Sequence, residues 1–207
     1  MRSVCKNRIL GYMIDAIIET VHPKLNDALG GGFPTKGLVE IYGEEGVGKT
    51  ATAISLSAQA AIAFLDLDGT FPHQLVDLVG KSDQVILAQL NHQMTLSELA
   101  ELIEPLIREV EVVVIDPLAL LGTSIEEALV PLLSRLAHRY DRLVVLVNHA
   151  NHYNESPSQR MTSFYCKQRV QMSRVDADSE KMNVDFRITK NLLHPPFSYG
   201  TITIPFN

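Results

Sequence analysis

Short apolar runs alternate with amphipathic segments through the first three quarters of the chain. The runs 38–42, 61–65, 84–88, 112–115 and 143–147 are rich in Val, Ile, Leu and Ala, as strands buried on both faces are. Between them, 51–61 is rich in helix formers and 71–79 reads as a short helix. A better marked helix follows, in which Thr95 and Glu98 form a capping box and Met94 and Leu99 a hydrophobic staple. Its apolar residues Leu96, Leu99, Leu102, Ile103 and Leu106 share one face. Ser124 and Glu127 are expected to cap a further helix that runs to about Tyr140. This alternation predicts an α/β fold with a mostly parallel sheet covered by helices on both faces.

The last quarter changes character. Residues 149–162 are polar and turn-prone, and long for a connection, which marks them as functional or mobile. Beyond them, 169–172, 182–188 and 201–204 alternate as antiparallel edge strands do. No repeat, linker or low-complexity tract interrupts the pattern, so one domain over 1–207 is expected.

Composition narrows the class. The chain has 207 residues, enough for one sizeable core. Its two cysteines, Cys5 and Cys166, are far apart and not in a metal-type spacing, which suits a reducing cytoplasm. No apolar run approaches the roughly 20 residues of a membrane span, and a signal-peptide pattern is lacking. A net charge of -6 argues against binding polyanions with the molecule as a whole. Any nucleic-acid contact would need a local patch.

The segment Gly43-Glu44-Glu45-Gly46-Val47-Gly48-Lys49-Thr50 carries the chemistry. It is a complete GxxxxGK(S/T) phosphate loop between an expected strand and an expected helix. Gly43, Gly46 and Gly48 allow the backbone to approach an anion closely. The N–H groups of the loop and of the helix that opens at Thr50 and Ala51 would then converge on phosphate. Lys49 is expected to reach the β- and γ-phosphates of ATP, and the Thr50 hydroxyl to ligate Mg²⁺. Asp116 closes the strand 112–115, where the magnesium-binding Asp of such an ATPase stands. Asp66, Asp68 and Asn148 also fall at carboxyl ends of strands, where ligands of open parallel sheets bind. His149 and His152, three apart, suggest a metal only weakly, because no Cys or further His is near.

These blocks together resemble the RecA/RadA recombinase superfamily, and in particular the ATPase core of archaeal RadA and its RadB-like paralogues. The matching stretches are 25–33 (LNDALGGGF), the phosphate loop, 64–71 (FLDLDGTF), 114–116 (VID) and 145–149 (VLVNH). The resemblance covers nearly the whole chain. It implies a RecA-like fold with ATP and Mg²⁺ as cofactors, Lys49 and Asp68 as catalytic groups, and Asn148 and His149 as sensors of the γ-phosphate. It further implies Lys190 as a group offered to a neighbouring subunit, and a place in recombination or DNA repair in the cytoplasm, at the nucleoid if DNA is bound.

Departures from the family carry as much information. Glu is usual in the family where Asp68 stands, and that carboxylate activates the attacking water. Asp keeps the charge but is one methylene shorter, so the water would be held about 1 Å off its place, enough to cost about 10²-fold in rate. His149 stands where the family has Gln, and can donate one hydrogen bond only in a pH-dependent way. Leu192 stands where an Arg would complete the pair begun by Lys190, which removes the arginine-finger contribution.

The two segments that line the DNA path in the family, 121–125 and 149–162, contain one cation between them, Arg160. That predicts weak binding of single-stranded DNA. The other basic clusters are Arg2, Lys6 and Arg8, and Lys167, Arg169 and Arg174. Three readings remain: a slow ATPase acting as an accessory factor, self-associated or bound to a RadA-type recombinase; a KaiC-like or helicase-like ring ATPase; and a partner subunit that binds ATP without hydrolysing it.

Overall fold

A computed structural model describes residues 8–9, 12–13, 16–91, 93–195 and 197–205. Arg2, Cys5, Lys6 and the side chain of Arg8 lie outside the described residues. At its centre is the strand Gly37–Gly43 (β1), seven residues that are all buried. Four further strands follow along the chain: Ile62–Asp66 (β2), Val85–Gln89 (β3), Val112–Asp116 (β4) and Leu143–His149 (β5). The last three strands are Cys166–Ala177 (β6), Lys181–Asn191 (β7) and Tyr199–Pro205 (β8). All eight form one sheet in the order β8-β7-β6-β1-β5-β4-β2-β3. The strands from β6 to β3 in that order are parallel, and β7 and β8 extend the sheet in antiparallel fashion.

Successive strand residues feed two cores, because side chains alternate across a sheet. Val39, Ile41, Val112, Val114, Val145 and Val147 face one layer, which contains the helices Pro23–Leu29 (α1), Lys49–Ile54 (α2) and His73–Val79 (α3). Leu38, Val113, Ile115, Val144 and Leu146 face the other. That layer is built by Leu96–Glu109 (α4), Thr123–Tyr140 (α5) and Gln159–Tyr165 (α6). The capping box at Thr95 and Glu98 is formed in both directions, and α4 buries Leu99, Ile103 and Ile107.

Four expectations are corrected. The helix expected over 51–61 is α2 followed by a tighter 3-10 turn, Ser55–Ala58. Ser55 Oγ donates back to the Thr52 carbonyl at 2.7 Å, a contact that competes with regular helix. Ser124 and Glu127 do not cap α5. Gly122 does, with φ 77°, and its carbonyl accepts the N–H groups of Ile125 and Glu126. Residues 149–162 are not all loop, since α6 begins at Gln159. Finally, β6 is no edge strand: it lies parallel to β1 and is covered on its far side by β7. Period-two alternation reads the same in either direction, and length alone did not show that β6 reaches twelve residues.

Candidate nucleotide site

Residues 43–50 turn between the carboxyl end of β1 and the start of α2. Gly46 and Gly48 have φ of 68° and 80°, which a side chain would strain. Lys49 is only 4% exposed, although it carries the longest polar side chain of the loop. Its Nζ donates to the carbonyls of Gly43, at 3.2 Å, and Glu44, and lies 3.4 Å from His149 Nδ1. Burial pulls the Lys49 pKa down to about 8, against the opposing pull of Asp116, Glu45 and Glu44. An ammonium whose direct partners are two carbonyl oxygens and an imidazole nitrogen would gain a direct counter-charge from a phosphate.

Thr50 Oγ1 donates to Asp116 Oδ2 at 2.6 Å, so the end of β4 meets the end of the loop. Burial lifts the Asp116 pKa to about 6, the Thr50 bond opposes this, and nearby Asp68 adds to it. The hydroxyl and carboxylate oxygens fit a hard divalent cation that keeps its remaining ligands from water and phosphate. No group of three or more His, Cys, Asp or Glu that could hold a metal ion by itself exists among the described residues. His152 is engaged with the Tyr153 ring, 3.8 Å between centroids.

The remaining acids divide by role. Asp66 accepts the N–H groups of Gly69, Thr70 and Phe71 at 3.0 to 3.3 Å, which folds the turn after β2. That turn carries Asp68 out at its exposed tip, where Oδ1 accepts from Thr70 N–H at 3.0 Å and from the Thr70 hydroxyl. Asp68, Asp116, Lys49, Thr50 and His149 line one cleft of about 340 Å³ together with Glu45, Gly46, Gly48 and Ala51. Pro72, Leu75, Met182 and Ile204 give the same cleft an apolar wall. Met182 and Ile204 lie outside the site expected from the sequence, since nothing there brings β7 and β8 to the loop.

Other expected residues lie elsewhere. Asn148 is fully buried: its Oδ1 accepts Ala119 N–H at 3.0 Å and its Nδ2 donates to Glu40 at 2.9 Å. Its neighbour His149 is the one that meets Lys49, with a pKa lowered by burial and by that cation. Lys190 donates to the Ser163 and Phe164 carbonyls at 2.7 and 3.3 Å, at the end of α6 in the same chain. Leu192 is exposed. Arg160 pairs with Glu127 at 2.9 Å on the surface. Arg169 belongs to no surface patch: it is buried, bonded to Glu40 at 2.6 Å, and stacked 5.0 Å above the Tyr42 ring. Segment 121–125 leads straight into α5 and offers no free loop.

No family model matches the chain. Curated relatives do. RecA of Clostridium acetobutylicum is 28% identical over 233 aligned positions, covering 94% of this chain and 66% of that protein. RecA of Lactobacillus delbrueckii subsp. bulgaricus is 26% identical, over 95% of this chain and 71% of its own length. RecA of Nautilia profundicola is 28% identical, over 92% and 65%. Over most of its length the chain is similar to RecA proteins. It spans about two thirds of the length of these RecA relatives. The similarity agrees with the architecture, a RecA-like α/β fold with a mostly parallel sheet and antiparallel C-terminal strands. No helix among the described residues is long and apolar enough to cross a membrane.

Proposed function

We propose that this chain is a RecA-like, ATP-binding protein that hydrolyses ATP slowly and serves as an accessory factor in homologous recombination or DNA repair. The observation that carries the reading is the convergence of Lys49, the Thr50–Asp116 pair and Asp68 on one cleft at the carboxyl ends of β1, β2 and β4. In this reading the ammonium of Lys49 leaves its carbonyl partners for the β- and γ-phosphates. Thr50 and Asp116 would hold a magnesium ion, which when bound would neutralise phosphate charge. Asp68 orients the attacking water and takes its proton. His149 faces the γ-phosphate end of the cleft.

Slow turnover follows from two features. Asp68 already uses an oxygen on Thr70 and is short for the task. Leu192 offers no cation to a neighbouring site. An accessory role is supported by sparse positive charge along the expected DNA path, where Arg160 is already paired. The tie of Asp68 to Thr70 also favours a second reading, a partner subunit that binds ATP without hydrolysing it. A RadB-like relationship, one domain over 1–207 and a cytoplasmic setting belong to the same proposal.

Turnover of ATP measured with and without single-stranded DNA, on the parent and on Lys49→Ala, tests the reading. Slow Lys49-dependent hydrolysis with little DNA stimulation supports it. Rapid DNA-stimulated turnover sinks it in favour of a motor-like ring ATPase, and nucleotide binding with no turnover selects the partner subunit.

A further inference from the structure

The strand β6 runs beside β1 as far as the pair Met172 and Gly43, and then continues past the end of β1. It therefore lies along the outer side of the phosphate loop. Contact there is close: a Cβ on Gly43 would fall 2.0 Å from the Met172 carbonyl oxygen. Two residues further on, Arg174 Nη2 donates to the carbonyls of Gly46 at 3.1 Å and Glu45 at 3.5 Å. A Cβ on Gly46 would lie 2.9 Å from that same nitrogen.

We infer that Arg174 is a positioning residue for the phosphate loop, bracing its apex from the carbonyl side and strengthening the N–H donors opposite. The inference rests on reading residues 43–50 as a nucleotide site. Each peptide is planar and trans, so its C=O and N–H point to opposite sides. The Glu45 carbonyl shares a peptide with the Gly46 N–H, and the Gly46 carbonyl shares one with the Val47 N–H. A guanidinium on the two oxygens therefore turns the two N–H groups toward the cleft. It also polarises both peptides, since hydrogen bonds in series strengthen one another. Glycine at 46 is favoured by its φ of 68°, and a Cβ there would also push the mobile end of the Arg174 side chain away from the loop.

The consequence is specific. Loop N–H groups serve phosphates that ADP and ATP share, so the brace supports both nucleotides alike. A residue reaching the γ-phosphate would favour ATP alone. Calorimetric titration of ADP and of Mg-ATP into the parent, Arg174→Ala and Arg174→Lys separates the two. It is paired with hydrogen exchange over residues 44–48 in the nucleotide-free protein. Arg174→Ala is expected to weaken both nucleotides about fivefold, the scale of one charge-assisted but exposed hydrogen bond. Arg174→Lys should recover most of the loss, and exchange should quicken over 44–48 alone. Unchanged affinity for both nucleotides overturns the inference, as does a loss confined to ATP or a Lys variant as weak as the Ala variant. Should the parent bind neither nucleotide, the nucleotide reading of the loop falls, and exchange decides the brace: unchanged rates over 44–48 in Arg174→Ala then reject it.

Discussion

Thr50 donates its hydroxyl hydrogen to Asp116 across 2.6 Å, joining the last residue of the phosphate loop to the last residue of β4. A cation entering here would take both oxygens, and the hydroxyl would turn its lone pair toward it. Thr50→Val keeps the shape and removes the ligand. It is expected to weaken Mg-ATP by about 2 kcal/mol, roughly thirtyfold, while affinity measured in a chelator stays close to that of the parent. Equal losses with and without magnesium would contradict the assignment.

Asp68 sits at an exposed turn tip held by Thr70. If the shorter side chain keeps the water too far from the phosphorus, Asp68→Glu should raise turnover, toward the roughly 10²-fold that a misplacement of about 1 Å costs. Asp68→Asn should abolish it. A parent already turning over at about 10 s⁻¹ would show that the substitution is immaterial.

Arg169 and Glu40 form a buried ion pair, 2.6 Å apart, and Glu40 is wholly inaccessible. Removing the cation leaves a charge in the middle of β1. Arg169→Ala should therefore cost about 3–5 kcal/mol in denaturant unfolding. A loss under about 1 kcal/mol would mean that the pair behaves as a surface contact.

Glu126 is buried in the first turn of α5, and burial raises its pKa, with Glu40 adding to the rise. The folded state thus holds this proton more tightly than the unfolded chain. The group's contribution to stability is fully present below its unfolded pKa, near 4.3, and is lost as pH rises through the higher folded value. Glu126→Gln should melt above the parent at pH 7, even though a first-turn carboxylate is ordinarily welcome. The two melting temperatures should converge as pH falls to about 4. A variant less stable at pH 7 would show that the charge is favoured where it lies.

Single-stranded DNA binding should be weak, in the range of about 10⁻⁴–10⁻⁶ M, with a shallow salt slope that Arg160→Ala leaves unchanged. Arg160 is exposed but already matched by Glu127. Tight binding at physiological salt with a slope flattened by Arg160→Ala would restore a recombinase-type DNA path.

Much of this arrangement was legible in the sequence because it depends on local pattern. Five continuous apolar runs became the five strands β1 to β5; four of them are buried on both faces, while β3 lies at the sheet edge with Ile86 exposed, so its apolar run overstated its burial. The Thr95–Glu98 box and the loop 43–50 likewise announce themselves within a few residues. What stayed hidden depends on partners far along the chain. Arg169 in an alternating strand reads as surface until Glu40, 129 positions away, is seen beside it. Asn148 at a strand end gave no sign that its amide turns inward to Glu40. The proximity of Arg174 to the phosphate loop needed the register of β6 on β1, which no periodicity encodes.

The connection after β5 has an uneven tolerance built into it. Ala150 N–H is fastened to the Gly43 carbonyl at 2.7 Å, and Ser156 is fastened to Glu40 in the interior. Between those two anchors the chain closes on itself, Asn151 N–H reaching the Glu155 carbonyl at 2.8 Å. Extra residues spliced between His152 and Tyr153 would leave both anchors where they are. Each doubling of the excursion costs only about 0.6 kcal/mol of closure entropy. The tip is thus a grafting point, where a lysine-rich insert could give this scaffold an affinity for polyanions while the core beneath it keeps its packing.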